Sequence, residues 1–184
     1  MRRAAAIALA VGTFSTAREH RASADPQATA GLTLGGGASD LRTHASAAFQ
    51  LGARADVLFL RQRDSDMGFG PYVDFVTTAF DTIEPGGGVE WLTPVASDFA
   101  LILSAGAVGR HTAAFGWAPG VETTAFLGSR SYNFHSWYGL GAGLFVQGRY
   151  GFGDGEQADV IAGAQIDLAL LAFPFVFAYE ALRK

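Results

Sequence analysis

The stretch that decides the fold is residues 49–63, FQLGARADVLFLRQR. Apolar side chains occupy every second position from Phe49 to Phe59. The positions between them carry Gln50, Gly52, Arg54 and Asp56. A period of two indicates an extended strand, because successive side chains point to opposite faces. Charges of both signs lie opposite a purely apolar face, which is typical of a membrane barrel with lipid outside and a polar lumen inside.

The same alternation recurs along the chain. It predicts strands at residues 27–38, 49–60, 71–83, 88–95, 99–110, 120–130, 136–152 and 159–170. Polar or glycine-rich segments separate them, including a turn at 84–87 (EPGG) and a loop at 111–119. No segment has a convincing helical period. Eight strands with short links predict an all-β fold, an eight-stranded antiparallel up-and-down transmembrane β-barrel.

Composition limits the class of protein. The 184 residues include 24 Gly, 15 Phe and no Cys, and only 16% are charged. One domain of this length can bury a full core. The net charge of −4 leaves no basic surface for nucleic acid.

The N-terminus has the layout of a secretory signal peptide. Arg2 and Arg3 precede an uncharged segment, 4–14, and small residues follow at 15–17 and again at 22–24. We therefore expect a signal peptide over 1–17, with cleavage as late as residue 24, and a single barrel domain over 25–184 with a short C-terminal tail. Export of this kind predicts an outer-membrane location.

The pattern resembles the small eight-stranded outer-membrane barrels, such as the transmembrane domain of outer-membrane protein A. The resemblance covers about residues 27–172 and is one of strand pattern and length. It implies outer-membrane lipid, lipopolysaccharide and the outer-membrane assembly machinery as partners, and a monomeric state. Two features depart from that family: the links are short, and the chain ends in YEALRK instead of an aromatic residue.

The inward parity predicts a charge network in the lumen. Its members are Arg54, Asp56, Asp74, Glu90, Arg110, Glu122, Arg130, Arg149 and Asp167, with Asp159 on the same parity. Eight strands leave an interior just wide enough for side chains to fill. Buried ions there must pair, so we favour a salt-bridged plug over an ion or solute path.

Aromatic residues near the predicted strand ends are expected at the membrane–water interfaces. They are Trp117, Tyr132, Phe134, Trp137, Tyr138, Tyr150 and Phe152. Further along the chain, the alternating aromatics of 173–179 form a second such girdle if a bulge near Leu170 or Pro174 resets the parity. As a helix, Leu168 to Tyr179 is too short to span a bilayer.

No constellation predicts chemistry. The four His residues lie in the tail, loops and turns without metal-ligand spacing, so we expect no metal and no cofactor. His135 and Ser136 with a carboxylate such as Glu90 or Glu122 are the one hydrolase-like set, and neighbouring residues on a strand point to opposite faces. We therefore assign no catalytic residue.

These observations favour an outer-membrane barrel with a structural or surface-interaction role. The alternatives are a narrow pore or a lipid-modifying enzyme on the same barrel. A soluble, secreted lipocalin-like barrel is a third alternative, and it requires the apolar parity to face inward around an apolar ligand.

Overall fold

The computed structural model describes residues 26–96, 99–131, 136–153 and 157–183. It contains eight strands and one C-terminal helix, α1. The strands are β1 Gln27–Ser39, β2 Ser46–Leu58, β3 Gly68–Thr78, β4 Thr82–Ala96, β5 Phe99–Thr112, β6 Gly116–Arg130, β7 Gly141–Gly151 and β8 Ala158–Asp167, and α1 is Leu168–Leu182. The predicted signal peptide lies outside the described residues.

The strands form one closed antiparallel barrel in sequence order, so the predicted eight-stranded up-and-down fold is confirmed. The last strand pairs with the first, from Gly31 opposite Asp167 to Ala38 opposite Val160. Following hydrogen-bonded partners once around the barrel returns to β1 about ten residues from the start, which corresponds to strands tilted by about 40°. Closure leaves no unpaired sheet edge along the wall.

Alternation along each strand separates two environments. On β3, Val73 and Phe75 face outward and are exposed, whereas Tyr72, Asp74 and Val76 face inward and are buried. The same division holds around the barrel, with the apolar parity outside. Part of the interior is an apolar cluster of Leu58, Leu92, Ala100, Ile102, Phe126, Phe145 and Ile161. The remaining inward positions are largely polar or glycine.

The predicted turn at 84–87 is wrong. Those residues lie inside β4, and the turn is formed by residues 79–81, where Ala79 and Phe80 have positive φ angles of 52° and 61°. Such left-handed backbone matches the twist of a tight hairpin. Pro85 fits into the strand because it faces outward, and the β4–β5 pairing is interrupted between Ile83 and Gly86, where proline has no N–H to donate.

The predicted loop at 111–119 is also wrong. β5 continues to Thr112 and β6 begins at Gly116, so only residues 113–115 form the link. The predicted seventh strand begins too early, since β7 starts at Gly141. Trp137, which precedes β7, is largely exposed.

The C-terminal prediction is wrong as well. Leu168 and Leu170 were expected to extend the last strand, and the aromatics of 173–179 to alternate along an extended segment. These residues form α1, which begins where the Asp167 carboxylate accepts the Ala169 N–H at 2.7 Å. No helix in the described ranges is long and apolar enough to cross a membrane.

Two ends of the barrel can be distinguished. The end carrying Gln27 and Asp167 is here called the lower end, and the end with the links 40–45, 79–81 and 113–115 the upper end. Residues 97–98, between β4 and β5, are outside the described ranges.

Candidate functional site in the barrel interior

The predicted lumen charges all lie inside the barrel wall. Arg54, Asp56, Asp74, Glu90, Arg110, Glu122, Arg130, Arg149, Asp159 and Asp167 are buried, and so is Glu84, which was missed because it was assigned to a turn. The alternation could have predicted that Glu84 faces the lumen, because Glu84 and Glu90 are an even number of residues apart and share a face with Gly86 and Gly88. The buried charged residues form a network.

The centre of the upper half is Arg149 on β7. Its guanidinium lies 3.0 Å from Asp74 Oδ2 and 3.0 Å from Glu84 Oε2. A third carboxylate oxygen, Glu122 Oε2, is 2.9 Å away. One guanidinium therefore contacts carboxylates from three strands, which its planar, multidentate donor geometry allows.

Arg110 on β5 extends this cluster toward the upper end. Its Nε donates to Glu84 Oε1 at 2.6 Å, and its Nη2 binds the carboxylate of Asp159. Asp159 also accepts the Ser39 hydroxyl at 2.7 Å and the Asp40 N–H at 3.0 Å. Glu84 is thus shared by two arginines, and the network reaches the first strand.

A second cluster occupies the lower half. Arg54 pairs with Glu90 at 2.9 Å, and Arg130 binds both oxygens of Asp56. Thr29 donates to the same Asp56 carboxylate at 2.9 Å.

Tyr72 joins the two clusters. Its hydroxyl donates to Glu122 Oε1 at 2.8 Å, and the Arg54 guanidinium lies 3.8 Å from the centre of its ring. The cation–π contact satisfies a face of the guanidinium that no carboxylate reaches. Through Tyr72, the Arg149 cluster and the Arg54–Glu90 pair form one connected network across the barrel.

At the lower end, Asp167 contacts a tyrosine hydroxyl and the first turn of α1. Both of its carboxylate oxygens lie 3.0 Å from the Tyr138 hydroxyl, and Oδ1 also caps α1. Burial and the adjacent Asp167 carboxylate raise the pKa of Tyr138, so its hydroxyl stays protonated and donates to the carboxylate. Asp167 therefore fixes the chain where the strand changes into the helix.

The largest of the cavities described among these residues lies at the upper end. A cavity of about 630 Å³ opens there, with Ser39, Thr78, Thr82, Arg110 and Gln157 among its lining residues. Below it are two voids of only about 10 Å³ each, both lined by Arg54. A void of that size is at the limit for one water molecule.

The outer wall has the opposite chemistry. All eleven charged residues of the eight strands are buried, so no outward strand position carries an ionised Asp, Glu, Lys or Arg. Leu144, Val73 and Val95 are each more than 60% exposed on that wall. The interior and exterior are therefore inverted relative to a soluble barrel with an apolar cavity.

Aromatic residues are found near both ends of this wall. Of those predicted at the interfaces, Trp117, Tyr150 and Phe152 lie near the upper end and Trp137 near the lower end. Tyr138 is turned inward onto Asp167, and Tyr132 and Phe134 fall outside the described residues. The prediction missed further exposed aromatics: Phe49, Phe80 and Phe115 near the upper end, and Phe59, Phe69 and Phe99 near the lower end.

The structure describes only part of the set weighed for catalysis. His135 lies outside the described ranges, and the Ser136 hydroxyl accepts the Tyr138 N–H at 3.1 Å. Within the described residues, no group of three or more His, Cys, Asp or Glu side chains is placed to hold a metal ion.

Comparisons with known proteins add little beyond this geometry. No protein-family model matches the chain, and no curated protein matches it. Among solved structures, the chain is similar to one described as "De novo design of transmembrane beta-barrels", with 12% identity over 75% of this chain and 95% of that chain. The TM-score is 0.37.

Proposed function

We propose that this chain is an integral membrane β-barrel with a closed lumen and a structural or surface-interaction role. The observation that carries the proposal is the distribution of charge: every ionisable Asp, Glu and Arg of the strands is inside, and the outward positions are predominantly apolar. In water this wall would be a continuous apolar surface, far beyond the few hundred Å² that soluble monomers expose. In lipid it is the surface that the bilayer solvates.

The height of the apolar wall supports the same proposal. On β6, Trp117 near the upper end and Leu127 near the lower end are both outward and exposed. Ten residues at about 3.3 Å each, tilted by about 40°, rise roughly 25 Å, the height of the apolar band in outer-membrane barrels. The exposed aromatics near both ends match the two interfaces of such a band.

The lumen argues for a closed barrel. Arg54, Tyr72 and Arg149 connect carboxylates from several strands across the interior. The two voids beneath the upper cavity are too small for a hydrated ion. We therefore favour a structural or surface-interaction role over a pore.

We further propose the outer membrane of a Gram-negative cell as the location. The signal-peptide layout of residues 1–17 and the eight-stranded barrel support export to that membrane. Its lipid, lipopolysaccharide and assembly machinery are then the partners, and the closed wall supports a monomer.

The test combines membrane association with conductance. Purified chain 25–184 is refolded into lipid vesicles, floated on a density gradient, and then fused into a planar bilayer. We expect the folded protein to float with the vesicles and to give no stepwise conductance. Protein that folds but stays in the aqueous fraction would contradict membrane integration, and reproducible conductance steps would contradict the closed lumen.

A further inference from the structure

The first twelve residues of helix α1 are apolar on every side. Residues 168–179 read LALLAFPFVFAY and contain no charged side chain. Charged residues flank this segment, with Asp167 before it and Glu180, Arg183 and Lys184 after it. A helix on the surface of a soluble domain normally has one apolar face, and a helix that is apolar all round is buried in protein or in lipid.

The barrel does not bury this helix. Its principal contacts with the barrel are with β8, which it follows, and with β1. Phe175 is 77% exposed, Tyr179 62% and Leu182 88%. Large apolar side chains well beyond the first turn are therefore left without cover from the barrel.

We propose that α1 inserts into the lower leaflet of the membrane that holds the barrel, as a helical anchor entering from the lower end. This inference rests on the proposed membrane integration. The twelve apolar residues are about 18 Å long at 1.5 Å each, well short of the 30 Å hydrocarbon core, so the helix does not cross the membrane. Because the helix starts at the lower rim and charged residues follow the apolar segment, it lies at a shallow angle within this leaflet, with both ends near the polar boundary.

The position of the helix supports lipid as its environment. Ile166, the last outward residue of β8, is exposed on the barrel wall, and Leu168 at the start of α1 is exposed beside it. The apolar surface of the helix therefore continues the surface assigned to lipid. Asp167 is held in the lumen by Tyr138, so the helix starts at a fixed point on the lower rim.

The pattern of side chains distinguishes this arrangement from two others. A helix that pairs with a second copy of the chain buries one stripe and keeps polar residues on the rest. A helix lying flat on the membrane surface has a strongly polar face. Segment 168–179 has neither feature.

The test uses the absence of Cys from the chain, which allows a single nitroxide label on a single introduced cysteine. The variants are Phe175→Cys in the helix, Val146→Cys on the outward face of β7, and Arg183→Cys just after the helix. In vesicles, the collision rate of each label with oxygen, which concentrates in hydrocarbon, is compared with its collision rate with a water-soluble nickel complex. Folding of each variant is checked by its gel mobility before and after boiling.

We expect the labels at 175 and 146 to collide preferentially with oxygen, and the label at 183 with nickel. If the label at 146 prefers oxygen and the label at 175 prefers nickel, the barrel is in the membrane and the helix is not, which overturns this inference alone. If the label at 146 prefers nickel, membrane integration itself fails. Spin–spin broadening at 175 that disappears on dilution with unlabelled protein would place the helix against a second copy and would also overturn it.

Discussion

Placing one charge on the outer wall tests the orientation of the barrel. Val146 lies near the middle of β7, faces outward, is 53% exposed and has the small side chains of Ala125 and Ala162 as its lateral neighbours. An arginine here meets no steric obstacle from these neighbours, so its effect reports the surrounding medium. Ser129→Arg, outward at the lower end of β6, is the matched control near the interface.

The expected loss in folding free energy depends on how deep the substituted position lies in the bilayer. Arginine on the lipid face costs about 2–4 kcal/mol at the bilayer midplane and about 0–1 kcal/mol near the interfaces. Val146→Arg should therefore lower the folding equilibrium constant by roughly 30- to 700-fold, since 1.4 kcal/mol is a factor of ten, and Ser129→Arg by much less.

The assay is urea-induced unfolding in lipid vesicles, followed by tryptophan fluorescence and by gel mobility of unheated samples. The two variants are compared with the unsubstituted chain at the same lipid ratio. If Val146→Arg and Ser129→Arg have equal free energies of unfolding, position 146 is not in hydrocarbon and the assignment of the outer wall to lipid fails.

Two further substitutions test the interior and the wall. Arg149→Met leaves three buried carboxylates without their shared guanidinium and should reduce the free energy of unfolding by about 3–5 kcal/mol. The control Arg42→Met, at an exposed position, should change the free energy of unfolding by less than about 0.5 kcal/mol. Equal effects of the two substitutions in urea titrations would mean that the network does not stabilise the barrel. Gly163→Ala would place the new Cβ against the carbonyl oxygen of Leu34 and should lower the free energy of unfolding by about 1–3 kcal/mol. The control is Gly36→Ala, whose Cβ would have its nearest neighbour at 3.6 Å and which should be neutral or slightly stabilising. A neutral Gly163→Ala in the same titration would show that the β1–β8 contact can relax.

The sequence was sufficient for the strands because alternation is a local property. From Phe49 to Val57 every side chain faces the side that its parity predicts, since a pleated strand cannot change faces without a bulge. Turn propensity was less reliable. Pro85 with Gly86 and Gly87 favours a turn locally, yet pairing with β3 holds these residues extended, and proline is accommodated at an outward position.

The helix was missed for a related reason. Residues 168–179 have no amphipathic period to distinguish a helix from an extended apolar segment, and Pro174 lies inside the helix. The side chain that does mark its start is Asp167, a good N-cap residue, which had been assigned to the lumen only. Asp167 both lies in the lumen, where it contacts Tyr138, and caps the first turn of α1.

Which lumen charges would meet could not be read from the sequence. Parity placed Arg149 and Asp74 inside, but their 3.0 Å contact joins residues 75 positions apart in sequence. That contact depends on strand order, register and the stagger of the closed barrel, which are collective properties. Glu84 illustrates a different error. Because residues 84–87 were predicted to form a turn, the predicted lumen network omitted a carboxylate that binds two arginines.

The central claim, a barrel that folds with its apolar wall in lipid, is tested most directly by refolding the chain with and without detergent and comparing gel mobility before and after boiling. We predict a heat-sensitive, faster-migrating band with strand-rich circular dichroism only when detergent or lipid is present. A soluble, monomeric, strand-rich protein formed in buffer alone would contradict the account.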